Sequence, residues 1–143
     1  METLTTLLQQ LKGIDDTFYF DQSGNYFYIR KKGIPFNLGS SNKEEMKHFL
    51  IAFKKTGLKA TANNIEYAHR VFGMITSLIA YGRASVKQIM EDEYLHGDLY
   101  NGISEIAKRT LATYLVNQVD HVGYAGDDSE GNSYNYLKLK EIA

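Results

Sequence analysis

The side chains that could do chemistry are scattered. The four histidines, His48, His69, His96 and His121, stand in no H-E-x-x-H or H-x-H spacing that would set two imidazoles on one metal. Cysteine is absent, which removes thiolate metal sites and disulfides together. Glu91, Asp92, Glu93, His96 and Asp98 form the single oxygen-and-imidazole cluster suited to a cation. A helix end running into a solvated loop is ordinarily acidic without any ion, so neither a metal nor another cofactor is expected. No G-x-S-x-G elbow exists to expose a serine nucleophile, and no base can be paired with one. Gly24, Gly33, Gly123, Gly126 and Gly131 fall at turns and do not make a phosphate-binding loop. The expectation is a protein that is not an enzyme.

Three groups of residues suit binding instead. Lys108 and Arg109 could reach phosphates or guanine, Thr113 and Asn117 could reach base edges, and Ser104 and Glu105 open the same segment. Arg30, Lys31 and Lys32 follow Tyr26 and Tyr28, with Lys43, Lys47, Lys54 and Lys55 further on; cations interleaved with aromatics suit a nucleic-acid strand. The cheaper reading of that stretch is a sheet edge guarded against aggregation by its lysines. Glu91, Asp92, Glu93, Asp98, Asp127, Asp128 and Glu130 would suit a basic protein partner if they shared a face.

The element that must position the first group is a helix of about residues 103–119. Ile103, Ala107, Leu111, Leu115 and Val119 recur four apart, with Ile106, Tyr114 and Gln118 beside them. Glu105, Lys108, Arg109, Thr113 and Asn117 are left facing outward. Val122-Gly123-Tyr124, a Gly-, Asp- and Asn-rich loop (Gly126–Ser133) and Tyr134–Leu139 then read as a β-hairpin. The order S-x-x-A-K-R-T-L-x-x-Y-L, then V-x-x-V-G-Y, a polar loop and Y-x-L resembles the recognition helix and wing of winged helix-turn-helix DNA-binding proteins, over about residues 66–139. In that resemblance Arg109-Thr110-Leu111 opens the recognition helix, Tyr114-Leu115 packs it on the core, and Gly123 turns the chain into the wing. It implies duplex DNA as partner, a role in transcription regulation, and dimers on paired half-sites. Asp127, Asp128 and Glu130 depart from a wing that grips phosphate, since like charges repel.

Earlier in the chain, Leu4, Leu7, Leu8 and Leu11 mark a helix ended by Gly13. Thr17–Phe20 and Tyr26–Arg30 flank a turn, with Phe18, Phe20, Phe27 and Ile29 on one face and Tyr19, Tyr26 and Tyr28 on the other. Gly33–Gly39 reads as an extended connection. Ser41 with Glu44 fits a capping box opening a helix to about Lys55, with Met46, Phe49, Leu50 and Phe53 inward. Ile65–Tyr81 is apolar on more than one stripe and so central, capped by Thr61 or Asn63. Ser85 and Gln88 make a second capping box for a helix to about Tyr94.

With 143 residues, 43% hydrophobic and 23% charged, the chain suits one continuous core spanning an N-terminal region (1–60) and a winged-helix-like region (61–143). The fold class expected is α+β: N-terminal helix, aromatic hairpin and helix packed on the C-terminal unit. No apolar run is long enough for a membrane span and no signal-peptide pattern opens the chain, so a cytoplasmic protein is expected. The net charge of −1 hides a split: residues 1–83 carry 11 Lys/Arg against 7 Asp/Glu, residues 84–143 carry 5 against 10. The half resembling a DNA reader is the acidic one. The two functions to be weighed are a small DNA-binding regulator and a module that docks its acidic half on a basic partner.

Overall fold

Thr3 accepts a hydrogen bond from the Thr6 N–H and so caps the first helix, α1 (Leu4–Gln9). The computed structural model describes residues 3–80, 85–95, 102–127 and 133–139, with side chains described for 3–79, 85–95 and 102–118. Leu4, Leu7, Leu8 and Leu11 are buried, the stripe their spacing requires. Gly13 then turns the chain at φ 74°, a conformation that costs glycine nothing.

Strands β1 (Phe18–Ser23) and β2 (Tyr26–Lys31) pair antiparallel around Gly24-Asn25. Phe20 lies opposite Ile29 and Gln22 opposite Phe27, so the inner face holds the aromatic and aliphatic set that period-two alternation assigns to it. A third strand, β3 (Gly39–Asn42), pairs with β2 in the order β1-β2-β3. This strand was not expected: Gly-Ser-Ser-Asn carries no strand-favouring residue, and its place comes from the ladder with β2. One expectation changes with it. Asn42, not Ser41, caps α2 (Lys43–Thr56), accepting from the Glu45 N–H at 2.9 Å. Strand β3 covers β2 over Tyr26–Ile29, and Arg30 and Lys31 run past it, paired with β1 alone.

Helix α2 buries Met46, Phe49, Leu50 and Phe53 as their spacing demands, and ends on left-handed Gly57. Thr61 accepts from the Asn64 N–H and starts α3 (Ala62–Ala80), which buries Ile65, Ala68, Val71, Phe72, Ile75 and Ile79. The Ser85–Gln88 capping box opens α4 (Val86–Met90); this helix stops short of Tyr94 and passes into a 3-10 turn at Glu93–Leu95. Last come α5 (Glu105–Gln118) and the hairpin of β4 (Val119–Asp127) and β5 (Ser133–Leu139). The hairpin begins at the helix end, three residues before the Val122 start that alternation suggested.

The chain is therefore α+β, helices against a three-stranded antiparallel sheet with a two-stranded sheet at its C-terminal end. Buried side chains from both sequence regions make one hydrophobic cluster. At its centre the Phe49 ring meets His69, Phe72 and Phe53, with centroids 4.9, 5.4 and 5.9 Å away. The contacts with His69 and Phe72 are edge-to-face and that with Phe53 is tilted, and such pairings add to the area that the rings remove from water. Phe49→Ala should therefore lower the unfolding free energy by about 3–5 kcal/mol, read from urea denaturation. A loss below about 1 kcal/mol would show that the cluster is not the centre of the fold.

Candidate nucleic-acid interface

Helix α5 begins where the Ser104 hydroxyl accepts from the Ala107 N–H at 3.2 Å, and Glu105 in the first turn suits the positive end of the helix dipole. Leu111, Ala112 and Leu115 are buried where the helix packs on α2, α3 and α4. Tyr114 fixes its rotation. Its hydroxyl shares a 3.2 Å hydrogen bond with Nδ1 of fully buried His48 on α2, and burial pushes the phenol up to about 12.

This seating corrects one assignment made from the sequence. Lys108 is 7% exposed, on the inner side of α5 with Leu111, Ala112 and Leu115, and is not an outward phosphate contact. The positions 108, 111, 112 and 115 are one helical face, so the buried stripe leans toward Lys108 and away from Ile106. Ile106, taken from the sequence as flanking the apolar stripe, is 78% exposed.

What faces out is a second stripe at i, i+3, i+7 and i+11: Ile106, Arg109, Thr113 and Asn117, all exposed. Ser104 and Glu105 are exposed at its N-terminal end. Arg109 lies 3.7 Å from the Glu105 carboxylate, a long contact between two exposed groups that holds the guanidinium loosely. Beside the stripe runs an open groove of about 530 Å³ between α2 and α5, lined by Lys55, Arg109, Thr110, Thr113, Tyr114, Asn117 and Gln118. Lys55, at the end of α2, stands 5.9 Å over the Tyr114 ring. Its place in this groove was not legible in sequence, where it lies 54 positions from Arg109. No Asp or Glu occurs between Glu45 and Glu66, so the α2 side of the groove carries Lys55 without a neighbouring acid in its own segment, while Lys54 turns to donate to Gln10.

The other candidates separate. Lys31 points to the inner side of the sheet, bonds Thr17, lies 3.6 Å from Asp15 and sits over the Phe18 ring, so it is already engaged. Arg30 is on the outer face, and Lys32 is exposed just past the strand. Glu91, Asp92 and Glu93 lie at the turn after α4. Asp98, Asp128 and Glu130 fall outside the described residues, and Asp127 is described in backbone only.

One pairing invisible in sequence is Ser41 with His69: Oγ and Nε2 are 2.9 Å apart, joining β3 to α3. A serine beside a histidine is the start of a nucleophile and its base. Here Ser41 is 4% exposed, and burial lowers His69 to about 4, too weak a base for neutral pH. The pair serves as a clasp. Gly39 belongs to it, since a Cβ there would stand 2.6 Å from the His69 ring.

Comparison of the chain with protein-family models, with curated proteins and with solved structures finds no match. The geometry alone must carry the functional reading.

The clasp makes a pH prediction. Between about 6.5 and 4 the unfolded chain protonates His69 and the folded one does not, so stability present at neutral pH is lost as pH falls. The loss attributable to this group should approach about 1.4 kcal/mol per pH unit. The urea midpoint of the native chain should fall across this window more steeply than that of His69→Gln; an identical slope in both would assign the proton uptake elsewhere.

Proposed function

We propose that the chain is a non-enzymatic DNA-binding regulator that reads duplex DNA with α5 and uses the β4–β5 hairpin as a wing. The observation that carries this is the exposed stripe Ile106, Arg109, Thr113 and Asn117 on a well-seated helix that runs straight into an antiparallel hairpin. The residue types suit the major groove: Arg109 for guanine, Asn117 for adenine, Thr113 for either hydrogen-bonding pattern, and Ile106 for a thymine methyl. At 14 residues the helix is about 21 Å long, enough to lie along the groove floor.

The order α3, α4, α5, β4, β5 supports the resemblance to winged helix-turn-helix proteins, with α4 as a shortened first helix of the pair. Phosphate contacts fall to Arg109 and to Lys55. Lys108 takes no part. Its role is to extend the apolar side of α5 with its methylene stem.

The test is a salt titration of binding to a pool of mixed duplex fragments, followed by sequencing of what is retained. Lys55→Ala and Arg109→Ala should each reduce the slope of log affinity against log salt by about 1, with thermal stability unchanged. Asn117→Ala should relax preference at one base pair by about 1–3 kcal/mol. Lys108→Ala should act the opposite way, shifting stability and leaving the salt slope intact. Absence of retention at low salt, or insensitivity to both Lys55 and Arg109, would end this reading.

A further inference from the structure

The three-stranded sheet has a second face that the α5 reading does not use. Cross-strand register sets Tyr19 beside Arg30, then Asp21, Tyr28 and Ser40 in one row, then Ser23, Tyr26 and Asn42 in the next. These all point away from Ile29, which is fully buried on the face that meets the helices. Tyr19 and Tyr26 are 42% and 54% exposed, and Tyr28 and Arg30 are half-buried between them. Apolar rings of this size are not left on a surface by the needs of the core, which Phe18, Phe20, Phe27 and Ile29 supply from the other side.

We propose that this face binds a nucleic-acid strand with unpaired bases, the tyrosine rings stacking bases and Arg30 and Lys32 meeting the phosphates. Tyr26 and Tyr28 are two residues apart on one strand, about 6.8 Å along the sheet. Tyr19 is the diagonal neighbour of Tyr28, about 7–8 Å across the ladder. Three rings thus form a continuous track at a spacing that successive splayed bases can meet, and every base offers a face to stack. Arg30 and Lys32 continue this face past Ile29, where β3 no longer pairs with β2. Nor is Arg30 neutralised: among the described residues no carboxylate pairs with it, and its buried Nε has no hydrogen-bond partner. Asp21 is the one carboxylate within the rows and places a limit on how closely a phosphate follows β1. A duplex does not use the tyrosine track, since its bases are already stacked on one another and offer no free face to the rings.

The experiment is fluorescence anisotropy of the full chain with labelled 12-residue oligodeoxyuridylate and oligouridylate, an abasic strand of equal length, and a duplex. The base-bearing strands should bind, the abasic strand at least roughly tenfold more weakly. Tyr19→Ala and Tyr26→Ala should each weaken binding roughly fivefold or more, Tyr→Phe at either position should retain it, and Arg109→Ala should leave it unaltered. Both side chains are exposed, and circular dichroism checks that the variants fold. Photocross-linking of 5-iodouracil strands provides a measurement independent of the variants; adducts should fall on Tyr19, Tyr26 or Tyr28. Equal binding of the two sugars identifies a strand recognised by its bases, and preference for one identifies RNA or DNA as the source. Equal affinity for the abasic strand, cross-links elsewhere, or tyrosine variants that alter only self-association in sedimentation would overturn the proposal. Because Arg109 is outside this face, its variant separates failure here from failure of the α5 reading.

Discussion

Helix α2 is the member against which the rest is placed, and Phe49 is why. Its ring is fully buried and meets Phe53 on its own helix and His69 and Phe72 on α3, while the helix that carries it packs also on α1, on the sheet and on α5. One interior at crystal-like density cannot accept a shift of any one of these without moving the others. The clasp between Ser41 and His69 and the bond between His48 and Tyr114 are attached to the same helix surroundings, one on the sheet side and one on the α5 side. Two polar contacts thereby set angles that apolar packing alone leaves loose.

The two surfaces proposed for nucleic acid follow from that placement. The sheet turns its aliphatic and phenylalanine face to α2 and is left with tyrosines outside. Helix α5 buries Leu111, Ala112, Leu115 and the Lys108 stem, and is left with Arg109, Thr113 and Asn117 outside. Neither surface needed a device of its own; each is the unburied side of an element whose other side the core requires.

Much of this was legible in the sequence, where pattern and burial speak the same language. The Leu stripe of α1, the inward phenylalanines of the hairpin, the inner face of α2, the breadth of α3 and the Ser85 capping box all follow from spacing and cap chemistry. What could not be read had no local signal. Strand β3 is Gly-Ser-Ser-Asn and exists because β2 offers it a ladder. Ser41 and His69 meet across 28 positions, and Lys55 reaches the α5 groove through tertiary packing alone. Lys108 misled for a different reason. A charge reads as an outward face in sequence, whereas the packing that buries Ala112, one turn on, puts that side of the helix against its neighbours.

The bond between His48 and Tyr114 spans 66 positions, and its consequence is one of timing. Contacts so distant in sequence close late, because the intervening loop must first lose its freedom. As the chain is made from its N-terminus, α2 is complete long before α5 exists, and the side of α2 that will receive α5 waits uncovered. The His48 ring, which Tyr114 will cover, is then exposed to whatever surface is nearby. Synthesis, and not the finished molecule, is the period in which this protein is most open to misassociation.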